Sequence, residues 1–84
     1  MKRGDYELKA IFLADHEKHY GIYKGENLIG DLYVYPRFRD AKVEMIYGEF
    51  VINEKNCEEV LKKIKEEEVR ALIEELLKKL QICP

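Results

Sequence analysis

The sequence predicts an α+β domain, in which an antiparallel β-meander of about five short strands over residues 6–52 packs on a C-terminal helix or helix pair over residues 56–81. Up to Ile52, apolar residues alternate with polar ones and turn-forming residues recur at short intervals, as in antiparallel strands. From Asn56 onward, the apolar spacing becomes that of a helix. A chain of 84 residues fits one domain, residues 1–84, near the size at which a single core is only marginally sufficient.

The first half of the meander is predicted as three strands. The first strand spans residues 6–13 and is followed by a polar loop, "ADHEKH". Because side chains alternate along a strand, one of its faces is expected to carry Tyr6, Leu8, Ala10 and Phe12. Residues 19–24 then pair with residues 28–35 across "KGEN". Gly25 and Asn27 favour this hairpin, because both tolerate the positive φ that a tight turn needs.

The second half of the meander begins after "PRFRD". This segment is predicted as a connection, because Pro36 cannot donate to a central ladder and Asp40 suits a turn. Residues 42–47 form the next strand, and Gly48 turns the chain into a short fifth strand, "FVI".

The helical region carries two apolar stripes. Asn56 is predicted as its N-cap, with Glu59 at the capping-box position. The first stripe consists of Cys57, Val60, Leu61 and Ile64. The second stripe is rotated from the first by about 100°, the turn of one residue. Its members are Val69, Leu72, Ile73, Leu76, Leu77 and Leu80.

Two structures explain the rotation between the stripes. Either the helix breaks near Glu66–Glu68 and folds back, or it continues to about Leu80. No Gly, Pro or Asn lies in this stretch to end a helix. A continuous helix of roughly 25 residues would be nearly 38 Å long and would overhang strands of under about 20 Å. The second stripe would then need another molecule to cover it, so the six residues of that stripe are predicted as the interface of a two-fold homodimer.

The two cysteines distinguish these alternatives. A disulfide between Cys57 and Cys83 of one chain requires the helical region to fold back, because bridged Cα atoms lie less than about 7 Å apart. A helix N-terminus can activate a thiol, but the place of Cys57 in the first stripe favours a small buried apolar residue.

Composition excludes several classes of function. The 15 basic and 17 acidic residues give a net charge of −2, so there is no global field for nucleic acid or membranes. The chain has no Ser or Thr, which excludes such nucleophiles, and no P-loop or other cofactor motif. No apolar run approaches the roughly 18 residues of a membrane span, and the N-terminus lacks a signal-peptide core, so a cytoplasmic protein is expected. The 38% of charged residues and the few labile amides are typical of thermophile proteins.

One segment, "LYVYPRFRDAK" at residues 32–42, predicts a ligand. In an extended chain its tyrosines and arginines share one face, where aromatic rings can stack on bases and arginines can bind phosphate. The candidate nucleic-acid site consists of Tyr23, Tyr33, Tyr35, Arg37, Arg39 and Lys42. In the alternative interpretation, these tyrosines only cover the outside of a sheet and keep their hydroxyls in water.

The histidines offer a weaker candidate. Asp15, His16 and His19 are three potential metal ligands, but no further ligand with suitable spacing lies nearby, so neither a metal site nor a cofactor is predicted. Nothing brings a nucleophile, base and pocket together, and we expect no enzyme. The predicted function is a self-associating binding module, with nucleic acid as its ligand through the tyrosine–arginine face and the "PRFR" loop. The alternative is a protein-assembly subunit with no nucleic-acid role.

Overall fold

The computed structural model describes all 84 residues and confirms the α+β fold, with a six-stranded antiparallel sheet and two helices. The strands are neighbours in chain order, as in a meander. The elements are β1 (Lys2–Arg3), β2 (Tyr6–Leu13), β3 (Lys18–Lys24), β4 (Asn27–Tyr35), a 3₁₀ turn (Pro36–Phe38), β5 (Asp40–Met45), β6 (Gly48–Asn53), α1 (Cys57–Leu61) and α2 (Glu67–Lys79). Neither helix has the length and apolar character that crossing a membrane requires.

Alternation along the strands gives the sheet one apolar face, which the helices cover. A single cluster of 19 buried apolar residues fills the space between the two layers. The strands contribute Leu8, Ile22, Leu32, Val34, Ala41, Val43, Met45 and Ile52 to it. We call the opposite side of the sheet the outer face. Its side chains include Lys9, Tyr23, His19, Tyr33, Lys42 and Val51.

A β-bulge changes the face of the sheet on which the side chains at the end of β2 lie. The pairing of β2 with β3 shifts by one residue between Ala10 and Phe12, which leaves Ile11 without a partner on β3. Phe12 therefore lies opposite His19 and on the outer face, so the prediction that it shares a face with Leu8 is wrong. The two-residue strand β1 was not predicted either.

The helical region folds back, so the hairpin alternative is right and the continuous helix is wrong. α1 ends at Leu61, and α2 begins at Glu67. The Tyr47 hydroxyl donates a 2.7 Å hydrogen bond to Glu66 Oε1 and accepts one of 3.0 Å from the Lys65 N–H. The Arg70 guanidinium donates two bonds, of 3.1 and 2.7 Å, to the Ile64 carbonyl. Side chains from outside the turn thus supply the partners that its own sequence lacks.

The fold-back buries the second stripe inside the chain. Val69, Leu72, Ile73, Leu76 and Leu77 all belong to the core cluster, and Leu80 is partly buried against it. The premise of the predicted dimer interface, a ridge that only a second molecule can cover, is therefore wrong, because the sheet of the same chain covers it.

The C-terminus closes the fold with a disulfide between Cys57 and Cys83, whose Cα atoms lie 5.8 Å apart. Gln81 takes a left-handed conformation, with φ of 60°, just beyond α2. The Ile82 N–H then bonds to the Leu77 carbonyl at 2.9 Å, as in a Schellman motif. This motif turns the chain back, so that Cys83 reaches the first turn of α1.

Asn56 does not act as the predicted helix cap. Its side chain makes no bond to the N–H groups of α1, so the capping box with Glu59 is absent. Its Oδ1 instead accepts the Asn53 N–H at 2.7 Å, and its Nδ2 donates to the Val51 carbonyl at 3.3 Å. Asn56 therefore caps the free edge of β6.

Tyrosine ionisation is expected to make the fold sensitive to alkali. Burial raises the pKa of Tyr47; the Lys65 N–H opposes this rise, and the bond to Glu66 adds to it. Burial also raises the pKa of Tyr20. A raised pKa in the folded state stabilises the fold fully below the ordinary value near 10, and this stabilisation is lost as the pH rises through the folded value. The free energy of unfolding should therefore fall above about pH 10.

The Tyr47→Phe variant tests this expectation. At neutral pH it should lose about 1 kcal/mol, since the Lys65 N–H and Glu66 lose their partner. Above about pH 10 its stability should fall less steeply than that of the wild type. Urea unfolding followed by circular dichroism across the pH range measures both effects, with Tyr35→Phe as the control. Equal alkaline slopes for Tyr47→Phe and the wild type would contradict the assignment.

Candidate functional site

The outer face gathers some of the predicted nucleic-acid residues and separates others. Tyr33 lies between His19 on β3 and Lys42 on β5, and Tyr35 lies one row further along β4. Tyr23 is elsewhere, opposite Leu28. The predicted residues therefore form no single continuous row.

The two arginines leave the sheet altogether. β4 ends at Tyr35, and Pro36–Phe38 form a 3₁₀ turn. Arg37 lies within that turn, and Arg39 follows it in a left-handed conformation with φ of 52°. The "PRFR" segment is thus the connection that the sequence predicts, and its arginines do not extend the tyrosine row.

The faces of the central tyrosine ring are occupied within the chain. The His19 ring stacks on Tyr33 with its centroid 4.2 Å away and the two planes 13° apart. Lys42 Nζ lies 5.2 Å from the centroid of the same ring. Because β3 and β5 flank β4 on opposite sides, these neighbours cover both faces of Tyr33. A base would have to displace one of them in order to stack.

Tyr23 has a similar neighbour, since Lys9 Nζ lies 4.5 Å from its ring centroid. The tyrosine rings that were predicted to stack on bases instead contact lysine side chains of the same sheet face.

Carboxylates lie beside His19 and Lys42, the two neighbours of Tyr33 on the outer face. Cross-strand pairing places Asp31, Glu44 and Glu49 in the row next to Tyr33. Asp31 bonds to His19 at 2.8 Å, and Glu44 lies 3.6 Å from Lys42. Partial desolvation disfavours the charged form of Lys42, but Glu44 and Glu49 outweigh it and raise its pKa. Burial, followed by Asp31 and Glu44, raises the pKa of the Tyr33 hydroxyl. This row attracts cations more than phosphates.

The three potential metal ligands are not gathered. Asp15 and His16 are exposed in the bend after β2, whereas His19 lies on β3 and is bonded to Asp31. The chain contains no group of three or more His, Cys, Asp or Glu side chains placed to hold a metal ion.

A shallow groove of about 330 Å³ lies beside the 3₁₀ turn and contains two of the predicted residues, Tyr35 and Lys42. Its remaining lining residues are Phe38, Asp40, Ala41 and Val51. Phe38 and Val51 are well exposed. The groove has apolar walls with one cation and one carboxylate.

The free end of β2 is a surface that the sequence reasoning missed. Ile11, Phe12 and Leu13 are consecutive apolar residues with exposed fractions of 53%, 51% and 57%. Leu28 is also exposed and lies beside Ile11, since the side chains of both approach the position that a Cβ on Gly21 would take. We call these four residues the β2 apolar edge. The unbroken "IFL" run, which departs from alternation, was the available signal.

The backbone of this edge is also unpaired on the side that faces away from β3. β1 pairs only with Tyr6 and Glu7, and Met1 adds two bonds to Leu8. Beyond Leu8, no strand lies on that side of residues 9–13, and no side chain caps them. The β2 apolar edge therefore combines exposed apolar side chains with free hydrogen-bonding groups of the main chain.

Comparison of the chain with protein-family models, with curated proteins and with solved structures finds no match.

Proposed function

We propose that the chain is a non-enzymatic protein-binding module that receives an extended strand at the β2 apolar edge. The observation that carries this proposal is the coincidence of unpaired backbone and exposed apolar side chains at residues 9–13. A strand added there would complete main-chain hydrogen bonds and cover Ile11, Phe12 and Leu13. Exposed apolar patches of this kind mark protein interfaces.

The other free edge of the sheet is a poorer acceptor. On β6, the Asn56 side chain already bonds to the Val51 carbonyl and the Asn53 N–H. These two groups point away from β5, toward the side of β6 on which an added strand would pair. Because the β6 edge is already capped and the β2 edge is not, we place the strand-binding site at β2.

Nucleic acid is the second candidate, favoured by the exposed Arg37, Phe38 and Arg39 beside the groove. Two features weigh against it. The ring of Tyr33 is covered on both faces, and carboxylates pair with its neighbours His19 and Lys42. Of the candidate cations on this surface, Arg39 and Lys42 already lie beside carboxylates, which leaves fewer free charges for phosphate contacts. Phosphate contacts dominate non-specific affinity.

The disulfide bears on where such a module would act. Disulfides are rare in the cytosol of mesophiles but frequent inside the cells of hyperthermophiles. The thermophile-like composition therefore makes the Cys57–Cys83 bond compatible with the proposed cytoplasmic location.

A peptide titration tests the protein-binding function. The probe is a synthetic peptide with the sequence of residues 9–15, "KAIFLAD", added to the isotope-labelled protein. We expect amide chemical-shift changes at residues 9–13 and at Leu28, because an added strand pairs with the first and contacts the second. A scrambled peptide of the same composition is the control and should leave these amides unchanged.

A labelled single-stranded oligonucleotide tests the second candidate on the same sample, at about 50 mM salt where phosphate contacts are strong. Shifts at Arg37, Arg39 and Lys42 with the oligonucleotide, together with none at residues 9–13 with the peptide, would overturn the proposal in favour of nucleic acid.

A further inference from the structure

A groove lies between β4 and β5 at the end of the sheet where their pairing stops. The last pair is Gly30 with Met45, although β4 extends back to Asn27. The groove is lined by residues 28–31 of β4 and residues 44–46, has a volume of about 460 Å³ and is open to solvent. We call it the β4–β5 groove.

One end of the β4–β5 groove is apolar and exposed. Because the two strands are antiparallel, Leu28 and Ile46 lie at the same end of it. Ile46 is 99% exposed and Leu28 is 54% exposed, and neither belongs to the core cluster. Large apolar side chains that a fold leaves in water beside a groove are typical of protein interfaces.

The other end of the groove is acidic. Asp31 and Glu44 lie opposite each other across the two strands and both line the groove, whereas no Lys, Arg or His lines it. Glu49 continues this row on β6. His19 and Lys42 each contact one of these carboxylates from the next row. Three carboxylates therefore face at most two positive charges, and the row keeps an excess of negative charge.

The titration of Lys42 agrees with this excess. Partial desolvation favours its neutral form, yet Glu44 and Glu49 raise the pKa of its ammonium above the ordinary value. A further cation at the acidic end of the groove would be stabilised by the same carboxylates, whereas a phosphate would be repelled.

The shape of the groove favours a segment of a larger molecule over a small ligand. Small-ligand sites usually enclose roughly 70–90% of the ligand surface. The β4–β5 groove is open instead, and the side chain of Ile46 stands almost wholly in water beside it. A protein segment can fill the groove and cover this side chain at the same time.

We propose that the β4–β5 groove binds a protein segment in which an arginine or a lysine adjoins large apolar residues. The apolar residues would cover Leu28 and Ile46, and the cation would lie beside Asp31 and Glu44. Binding here requires no strand at residues 9–13, so the groove is a second interaction surface, beyond the proposed strand-binding function. Leu28 is the residue that the two surfaces share.

Two pentapeptides, blocked at both ends, test the charge preference by titration of the isotope-labelled protein. The first consists of leucine, isoleucine, leucine and two arginines, and the second has glutamates in place of the arginines. We expect the arginine peptide at millimolar concentration to shift the amides of Asp31, Glu44 and Ile46, with an affinity that falls as salt is added. The glutamate peptide should leave these amides unchanged.

Two variants with matched controls test the groove residues. Ile46→Asn should weaken binding of the arginine peptide by about tenfold, because the bound segment covers a side chain that is otherwise in water. Val51→Asn, at an exposed apolar residue of β6 outside the groove, should not. Glu44→Gln should weaken binding by about two- to fivefold, and Glu49→Gln, in the same row but outside the groove, by less.

Equal binding of the two peptides, or no binding of either, overturns the proposal, as does binding that Ile46→Asn leaves unchanged. If the arginine peptide shifts residues 9–13 instead of residues 44–46, it has added to the β2 apolar edge, which supports the strand-binding function and excludes the groove. If it shifts residues 44–46 while the "KAIFLAD" peptide leaves residues 9–13 unchanged, the groove is supported and the strand-binding function is excluded.

Discussion

Removal of the disulfide should lower the free energy of unfolding by about 3–4 kcal/mol, either through the Cys57→Ala/Cys83→Ala variant or through reduction of the wild type. The bond closes a loop whose ends are 26 residues apart in sequence, and loss of that constraint enlarges the unfolded ensemble. For a domain of this size each kcal/mol corresponds to about 4–8 °C, so the melting temperature should fall by roughly 12–32 °C.

Thermal and urea unfolding followed by circular dichroism, with and without a reductant, measure this loss. The double alanine variant is the internal control, because a reductant should not alter its stability. Its loss should also agree with that of the reduced wild type, apart from a small term for the buried space that the two sulfur atoms fill. A reduced wild type as stable as the oxidised protein would show that the bond does not hold the fold-back.

The disulfide stabilises a helical region with two weaknesses, a turn without turn-forming residues and a very short first helix. The chain from Lys62 to Glu66 contains no Gly, Pro or Asn, and α1 has only five residues. An isolated helix so short is not stable in water. The Cys57–Cys83 bond ties its first residue to the end of α2, so the two helices cannot separate without unfolding a closed loop.

The strands could be predicted because their signals are local. Alternation, the Gly25 turn and the Pro36 connection each depend on a few neighbouring residues, and the structure places strands within about two residues of the predicted ranges. The break between α1 and α2 was left open for the opposite reason. Its hydrogen bonds come from Tyr47, 19 residues before Glu66, and from Arg70 beyond it. No local pattern contains such contacts.

The candidate site shows the same limit. The sequence correctly indicated that Tyr33 and Tyr35 share a sheet face, because this follows from alternation along one strand. It could not show that His19 and Lys42 enclose the Tyr33 ring, since this depends on the register of three strands. The bulge at Ile11 likewise moved Phe12 to the outer face, and only the irregular "IFL" run hinted at it.

The Leu77→Ala variant should lose about 3 kcal/mol of stability, because Leu77 is fully buried against the sheet of its own chain. The sequence alone placed this residue in a dimer interface. In that arrangement, the effect of the substitution would depend on protein concentration, since it would act on association. In the observed fold it acts on the monomer core, so the difference from the wild type should be the same at every concentration.

Leu80→Ala is the matched control for this variant. Leu80 belongs to the same stripe and lies just after the end of α2, but it is only partly buried, so its truncation should cost well under half as much. Urea unfolding of both variants at low and high protein concentration separates the two interpretations. A Leu77→Ala effect that grows with concentration would return the second stripe to an interface between chains, and the fold-back that places it in the core would then be wrong for the protein in solution.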